Sequence, residues 1–276
     1  MLPLLGAQAS GPAPRIVVHG GQRRRVWVRL TLAALLLSLA ACTALPPRNP
    51  LASWASSPNH ERRRAQLIVL HFTDETSAAE SLHTLQTGNS GGPVSAHYLI
   101  GEDGHLYQLV RDADRAWHAG GGRWGTITDV NSASIGIELD NDGSEPFAPA
   151  QIDRLLALLT DLTTRLGIPP SQVIGHEDMA PQRKVDPGPL FPWARLAAAG
   201  FGLWPDATLA PAPAGFDPWL ALAAIGYPLE DRAAAVRAFR HHYRGLDGGP
   251  LDTTDMAILF NLASKLIAPA ADASVP

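Results

Sequence analysis

The feature that most constrains this chain is that its short apolar runs end at histidines or carry an acid. Residues 66–70 (Gln-Leu-Ile-Val-Leu) lead directly into His71-Phe72-Thr73-Asp74, and Val173-Ile174 leads into Gly175-His176. A third run, Ser134-Ile135-Gly136-Ile137-Glu138-Leu139, alternates bulky apolar residues with small or acidic ones. Runs this short predict buried strands rather than helices. Ahead of Val173, Pro149 opens a helical pattern with Ile152, Leu155, Leu156, Leu159, Leu162 and Leu166 on one stripe, stopped by Gly167 and Pro169. A second helix is expected at about 77–87. Segments 96–100 and 105–110 flank Gly101-Glu102-Asp103-Gly104, a hairpin signature. Strands interleaved with helices predict an α/β fold, a mixed central β-sheet flanked by helices.

Strand ends are where loops gather into sites, so the polar residues there are candidates for chemistry. The 276 residues include 10 histidines and 1 cysteine. An intramolecular disulfide and a thiolate-rich metal site are therefore excluded, and any metal must take nitrogen and oxygen ligands. His71, His176 and Asp186, the last on the Pro- and Gly-bearing loop 179–188, offer two imidazoles and a carboxylate. That set suits one zinc with a fourth position left for water, whose pKa the ion lowers. Singly, each residue has a plainer reading: a structural histidine at a strand end, or a turn aspartate before proline. The same donors also accept other divalent ions. A net charge of −4 gives no basic face for nucleic acid, and 46% apolar residues support a buried core.

The two ends of the chain read differently. Arg23, Arg24, Arg25 and Arg29 precede an apolar run at 30–39, followed by Leu39-Ala40-Ala41-Cys42. The run is short for a membrane span and reads as a secretory signal, the alternative being a transmembrane anchor that ends in Cys. The tetrad resembles the bacterial lipobox, which implies cleavage before Cys42 and its acylation. Thr43, in place of an Asp, implies sorting to an outer membrane. The long Gly/Pro-bearing stretch 1–22 suggests an assigned start upstream of the true one. Residues 43–60 contain four prolines and read as a tether. Past a Pro/Ala-rich linker at 206–213, helical patterns at 218–225, 232–243 and 254–266 predict a small three-helix module, with Glu230, Asp231 and Asp252 or Thr253 at helix starts. His241 and His242 in its second helix have no partner pair at metal spacing, and His83 and His105 read as surface residues.

Five blocks occur in order: His71-Phe72-Thr73; 95–100 (Ser-Ala-His-Tyr-Leu-Ile); Trp117-His118-Ala119-Gly120; Asn131 with 134–138; and Gly175-His176-Glu177 with 184–188 (Lys-Val-Asp-Pro-Gly). Together they resemble the zinc-dependent N-acetylmuramoyl-L-alanine amidase family over about 61–200. The lipobox and the added C-terminal module are most similar to its outer-membrane lipoprotein members. The 226–240 stretch resembles a three-helix peptidoglycan-binding domain.

The resemblance implies one Zn2+ on His71, His176 and Asp186, Glu138 as general base, and Lys184 as stabiliser of the developing oxyanion. It further implies that His97, Trp117, His118 and Asn131 border the cleft and contact glycan or peptide. Ala96 stands where some members carry a catalytic Tyr, which shifts weight to Glu138. The plainer reading of Glu138 is a surface glutamate alternating outward from Ile135 and Ile137, and that of Lys184 a solvated loop lysine. Trp117 also reads as core, and His97 as a residue that holds the sheet together.

The expected organisation is a signal and upstream extension at 1–41, a lipid-anchored tether at 42–60, an amidase domain at 61–205, the linker, a three-helix domain at 214–268 and a tail at 269–276. The expected activity is hydrolysis of the amide between N-acetylmuramic acid and L-alanine, in peptidoglycan or muropeptides. The expected place is the cell envelope, lipid-anchored through Cys42 to the outer membrane and facing the periplasm. Two rivals stand: a non-catalytic peptidoglycan-binding lipoprotein, and a hydrolase of another amide in the stem peptide.

Overall fold

The computed structural model describes residues 49–62 and 65–267. The signal, the lipobox with Cys42 and the C-terminal tail lie outside the described residues.

Among the described residues eight strands form: β1 (Ser53–Trp54), β2 (His60–Arg62), β3 (Leu67–Phe72), β4 (Tyr98–Ile100), β5 (Leu106–Gln108), β6 (Asp114–Ala116), β7 (Ser134–Leu139) and β8 (Val173–Gly175). Six build one mixed sheet in the order β1-β5-β4-β7-β3-β8, while β2 and β6 pair separately as an antiparallel ribbon. In the main sheet β4, β7, β3 and β8 run parallel, and β5 returns antiparallel to β4 as the expected hairpin.

The period-2 alternation of β3 and β7 assigns the two faces of the sheet. Ile68, Leu70, Ile135, Ile137 and Leu139 point to one face. There they meet Ile152, Leu155, Leu158, Leu159 and Leu162 of α3 (Pro149–Leu166), which starts with proline in its first turn and ends at the left-handed Gly167, as the sequence predicts. The other face shows Leu67, Val69 and Ile174 near the strand starts, and His71 and Glu138 near their ends.

Four further helices precede residue 206: α1 (Ala78–Thr87), α2 (Val130–Ala133), α4 (His176–Met179) and α5 (Trp193–Ala198). Ser77 caps α1 by accepting from the Glu80 amide, and Asp129 caps α2 through the Ser132 amide. The C-terminal helices are α6 (Pro218–Ile225), α7 (Arg232–Arg244) and α8 (Thr253–Ile267), within a residue or two of the sequence reading. Asp217 and Asp231 cap the first two.

These last helices share a core with the sheet. Leu222, Tyr227, Val236, Phe239, Leu259 and Leu262 join Leu67, Val69, Ile174 and Met179 in one buried cluster. Chain 206–213 is irregular, as a linker would be, but it is tied down. Lys265 pairs with Asp206 and donates to the Trp204 carbonyl, and Asn261 donates to Asp206.

The stretch read as a tether is also part of the fold over its described portion. β1 lies in register with β5, and the Ser57 hydroxyl donates to the Leu85 carbonyl. Asn49 is buried: its amide donates to Gln108 Oε1 at 3.0 Å and its Nδ2 to Asp161 at 2.9 Å. Backbone pairing with the sheet edge, invisible in a Pro-rich composition, holds this segment. Asn49→Ala removes the Nδ2 hydrogen bond to Asp161, an expected cost of about 1 kcal/mol, measured by urea denaturation; unchanged stability would show that the Asn49 side chain does not hold the segment down.

Candidate metal centre and active site

Strand register assembles the site. In the parallel pair β3–β7, His71 lies opposite Glu138, and on the other side of β3, Leu70 lies opposite Gly175. Three neighbouring parallel strands therefore deliver Glu138, His71 and, one residue beyond β8, His176 to the same edge. In α/β sheets ligands collect at the carboxyl ends of strands. Asp186 arrives from the loop after α4, held because its carbonyl accepts from the Glu177 amide at 2.8 Å.

His71, His176 and Asp186 converge, all three buried. His71 Nδ1 lies 2.9 Å from His176 Nδ1, and Asp186 Oδ2 lies 3.0 Å from each. The outward ring nitrogens show which inward atoms carry lone pairs. His176 Nε2 donates to the Ala119 carbonyl at 2.9 Å, so its Nδ1 is the free acceptor in the neutral ring. His71 Nε2 donates to His118 Nδ1 at 3.0 Å, His118 Nε2 donates to Ser134 Oγ at 3.1 Å, and the Ser134 hydroxyl donates to the Val130 carbonyl at 2.6 Å. Two imidazole lone pairs and a carboxylate thus face one another, an arrangement that repels itself unless a cation lies among them.

The local pKa values point the same way. Burial, with the His176 ring beside it, lowers His71 to about 4 despite the Asp186 carboxylate, so the ring is neutral at pH 7, the ligand form. The residues fit a divalent ion of the zinc type.

A cleft of about 740 Å³ opens over this centre, lined among others by His71, Trp117, His118, Glu138, His176, Lys184 and Asp186. Glu138 is only partly covered, yet its Oε2 has no hydrogen-bond partner among the described residues. Burial first, then the Asp186 charge, raise its carboxyl well above the ordinary value, while Lys184 pulls it down. A carboxyl so placed suits proton transfer at an adjacent reacting group.

Two expected cleft residues lie elsewhere. His97 is fully buried beneath the sheet surface, with Nε2 donating to the Asp114 carbonyl at 3.0 Å and Nδ1 accepting from the Gly136 amide at 3.0 Å. Both ring nitrogens serve the backbone, so it braces the sheet rather than facing the cleft. Asn131 does not line the cleft either. Its Oδ1 accepts from the His118 and Ala119 amides at 3.0 and 2.9 Å, which sets the ring that supports His71 and the carbonyl that supports His176.

The sequence reading did not single out Ser134 as the end of the His118 chain, nor the pairs beneath the site. Glu177 Oε2 accepts from His241 and Asp178 Oδ2 from His242, each at 2.7 Å. These partners are 64 residues apart, so no local spacing reveals them. The adjacent acids following a ligand histidine, and the adjacent histidines of α7, were the available signal.

Comparison with known proteins agrees with this geometry. The N-acetylmuramoyl-L-alanine amidase family model matches residues 61–189. The amidase AmiD of Escherichia coli is 42% identical over 160 residues, 52% of this chain and 56% of AmiD. The chain thus aligns with a little over half the length of that curated relative. Among solved structures, AmiD from E. coli in complex with anhydro-N-acetylmuramic acid-L-Ala-D-gamma-Glu-L-Lys is 36% identical, with a TM-score of 0.65 over 74% of this chain and 90% of AmiD's. AMPDH3 from Pseudomonas aeruginosa is 31% identical, with a TM-score of 0.67 over 82% of this chain and 98% of its own. With sequence identity above 30% across nearly the whole of two such structures, this chain belongs to the N-acetylmuramoyl-L-alanine amidase family.

Proposed function

We propose that the chain is a zinc-dependent amidase that hydrolyses the bond between N-acetylmuramic acid and L-alanine in muropeptides and peptidoglycan. The observation that carries this reading is the set of inward-facing acceptors on His71, His176 and Asp186, with Glu138 on the same open face. A zinc ion held there supplies Lewis acidity, polarising a carbonyl and making water nucleophilic near neutral pH. The chain's own residues do the rest. Glu138, on the cleft wall, takes a proton from the attacking water and returns it to the departing nitrogen of L-alanine. Lys184, on the cleft wall, offsets negative charge on the carbonyl oxygen. Trp117 and His118 give the sugar and the amide a face to lie on. AmiD's complex with an anhydromuropeptide supports this substrate class. The lipobox-like tetrad supports acylation at Cys42 and residence at the outer membrane, facing the periplasm.

Full-length protein incubated with purified peptidoglycan should release stem peptides whose amino terminus is L-alanine, read by mass spectrometry. A chelator should abolish release and added Zn2+ restore it; cleavage at another amide, or binding without release at full zinc occupancy, would overturn the reading. Glu138→Gln keeps the shape of the side chain but removes the base. It should retain zinc and lose about 10²–10⁴-fold in kcat; near-normal turnover would leave Glu138 without this role. Gly136 is narrow for a reason: a Cβ there would sit 2.4 Å from His118 Cγ. Gly136→Ala should displace that ring from His71 and cost about 10–100-fold in zinc affinity or activity, measured by chelator competition; unchanged affinity would show the His118 contact to be dispensable.

A further inference from the structure

The short helix α4 carries the ligand His176, and the two acids that follow it point away from the cleft into the protein. Glu177 and Asp178 are 1% and 0% exposed. Glu177 spans both ligand-bearing segments. Its amide donates to the Asp186 carbonyl at 2.8 Å, and its Oε1 accepts from the Gly188 amide at 3.1 Å. Asp178 folds back on the strand end, with Oδ2 accepting from the Gly175 amide at 2.7 Å. Between them the two carboxylates set where His176 sits relative to Asp186 and to β8.

Each carboxylate has its remaining capacity filled by the C-terminal helices. His241 donates from Nδ1 to Glu177 Oε2 at 2.7 Å, and His242 donates from Nδ1 to Asp178 Oδ2 at 2.7 Å. The Tyr227 hydroxyl donates to Asp178 Oδ1 at 2.7 Å. His242 also stacks on Trp193, with ring centroids 3.7 Å apart. One turn earlier on α7, on the face of His241, Arg237 donates to the Pro181 carbonyl at 2.6 Å, on the loop that leads to Lys184. Apolar packing of the same volume is often as stable as a buried network of acids and imidazoles, so this one gains its value from the geometry it fixes.

We propose that His241 and His242 are positioning residues for the metal centre, which makes α7 the back wall of the active site. The proposal rests on the reading of His71, His176 and Asp186 as a metal site. It assigns the C-terminal module a role in catalysis, apart from any contact with the cell wall.

The test uses full-length protein stripped of metal. His241→Leu and His242→Leu remove the donors. His241→Asn and His242→Asn return an N–H near the position of Nδ1. Leu259→Ala, in α8, loosens the shared core without removing a hydrogen bond to Glu177 or Asp178. Zinc affinity is read by chelator competition, site geometry by the visible absorption of the Co2+-loaded protein, and fold by the Tm of the metal-free form. The leucine variants should lose about 10–100-fold in zinc affinity, the range found for outer-shell partners of metal ligands, with an altered Co2+ spectrum. The asparagine variants should recover much of that loss, and Leu259→Ala should lower Tm with affinity and spectrum unchanged. Folded leucine variants with wild-type affinity and spectrum would overturn the proposal. So would affinity that falls only in step with Tm, Leu259→Ala included. Wild-type protein that takes up neither ion would overturn the metal reading itself, and the proposal with it.

Discussion

The parallel register of β7, β3 and β8 is the constraint on which everything else depends. Side chains alternate along a strand, so a slip of one residue in β3 would turn His71 into the α3 core and expose Leu70 in its place. The apolar face prevents the slip. Ile68 and Leu70 are locked between Ile135, Ile137 and the α3 stripe, and with them fixed, His71 must stand opposite Glu138. Hydrophobic packing on one face thus sets polar chemistry on the other. It does so at the end of the sheet where α4 and the 186–188 loop can close over it.

The two histidines of the site are then oriented by groups on the side away from the Asp186 carboxylate. His71 is oriented through His118 and Ser134 to a backbone carbonyl, and His176 through the Ala119 carbonyl. Both routes depend on segment 117–119, and Asn131 holds that segment by accepting two consecutive amides. Gly136 admits the His118 ring because it has no side chain. Arg183 adds a second donor to the Ala119 carbonyl. The 117–119 segment is therefore a shared support for both histidines, and its backbone matters as much as its side chains.

Much of this was legible in the sequence because it follows from local pattern. The runs ending at His71 and His176, the stripe of α3 with its proline start and glycine stop, and the three C-terminal helices all come from periodicity and punctuation. So does the exception in β7, where Glu138 alternates away from Ile135 and Ile137. That alternation predicts a side chain off the apolar core, and only the fold shows that the space it enters is a cleft rather than solvent. Residue type alone did not separate a cleft-lining side chain from a bracing one. His97 and Asn131 have the hydrogen-bonding repertoire of substrate contacts, but they spend it on backbone amides and carbonyls brought near by folding. The segment from Asn49 to β2 was illegible for a related reason: its hold on the sheet edge is made largely by backbone groups, which composition does not report.

The C-terminal helices show how a module that reads as separable can become part of a site. Its apolar stripes would suit any small bundle, and a bundle needs no buried histidines. Phe239 and Tyr243 meet the expected apolar demand, yet between them α7 carries Arg240, His241 and His242, all buried. Arg240 is satisfied inside the module by Asp252 and Asp255. The two histidines find their carboxylates on the other side of the shared core, directly behind His176. A binding domain on a free linker would leave such groups in water, where they cost nothing to solvate. Their burial against Glu177 and Asp178 requires the two parts to dock in one orientation, because a displaced α7 would strand two acids in an apolar interface. Docking and the geometry of the site are thereby coupled, so the module cannot swing away without loosening the turn that carries His176.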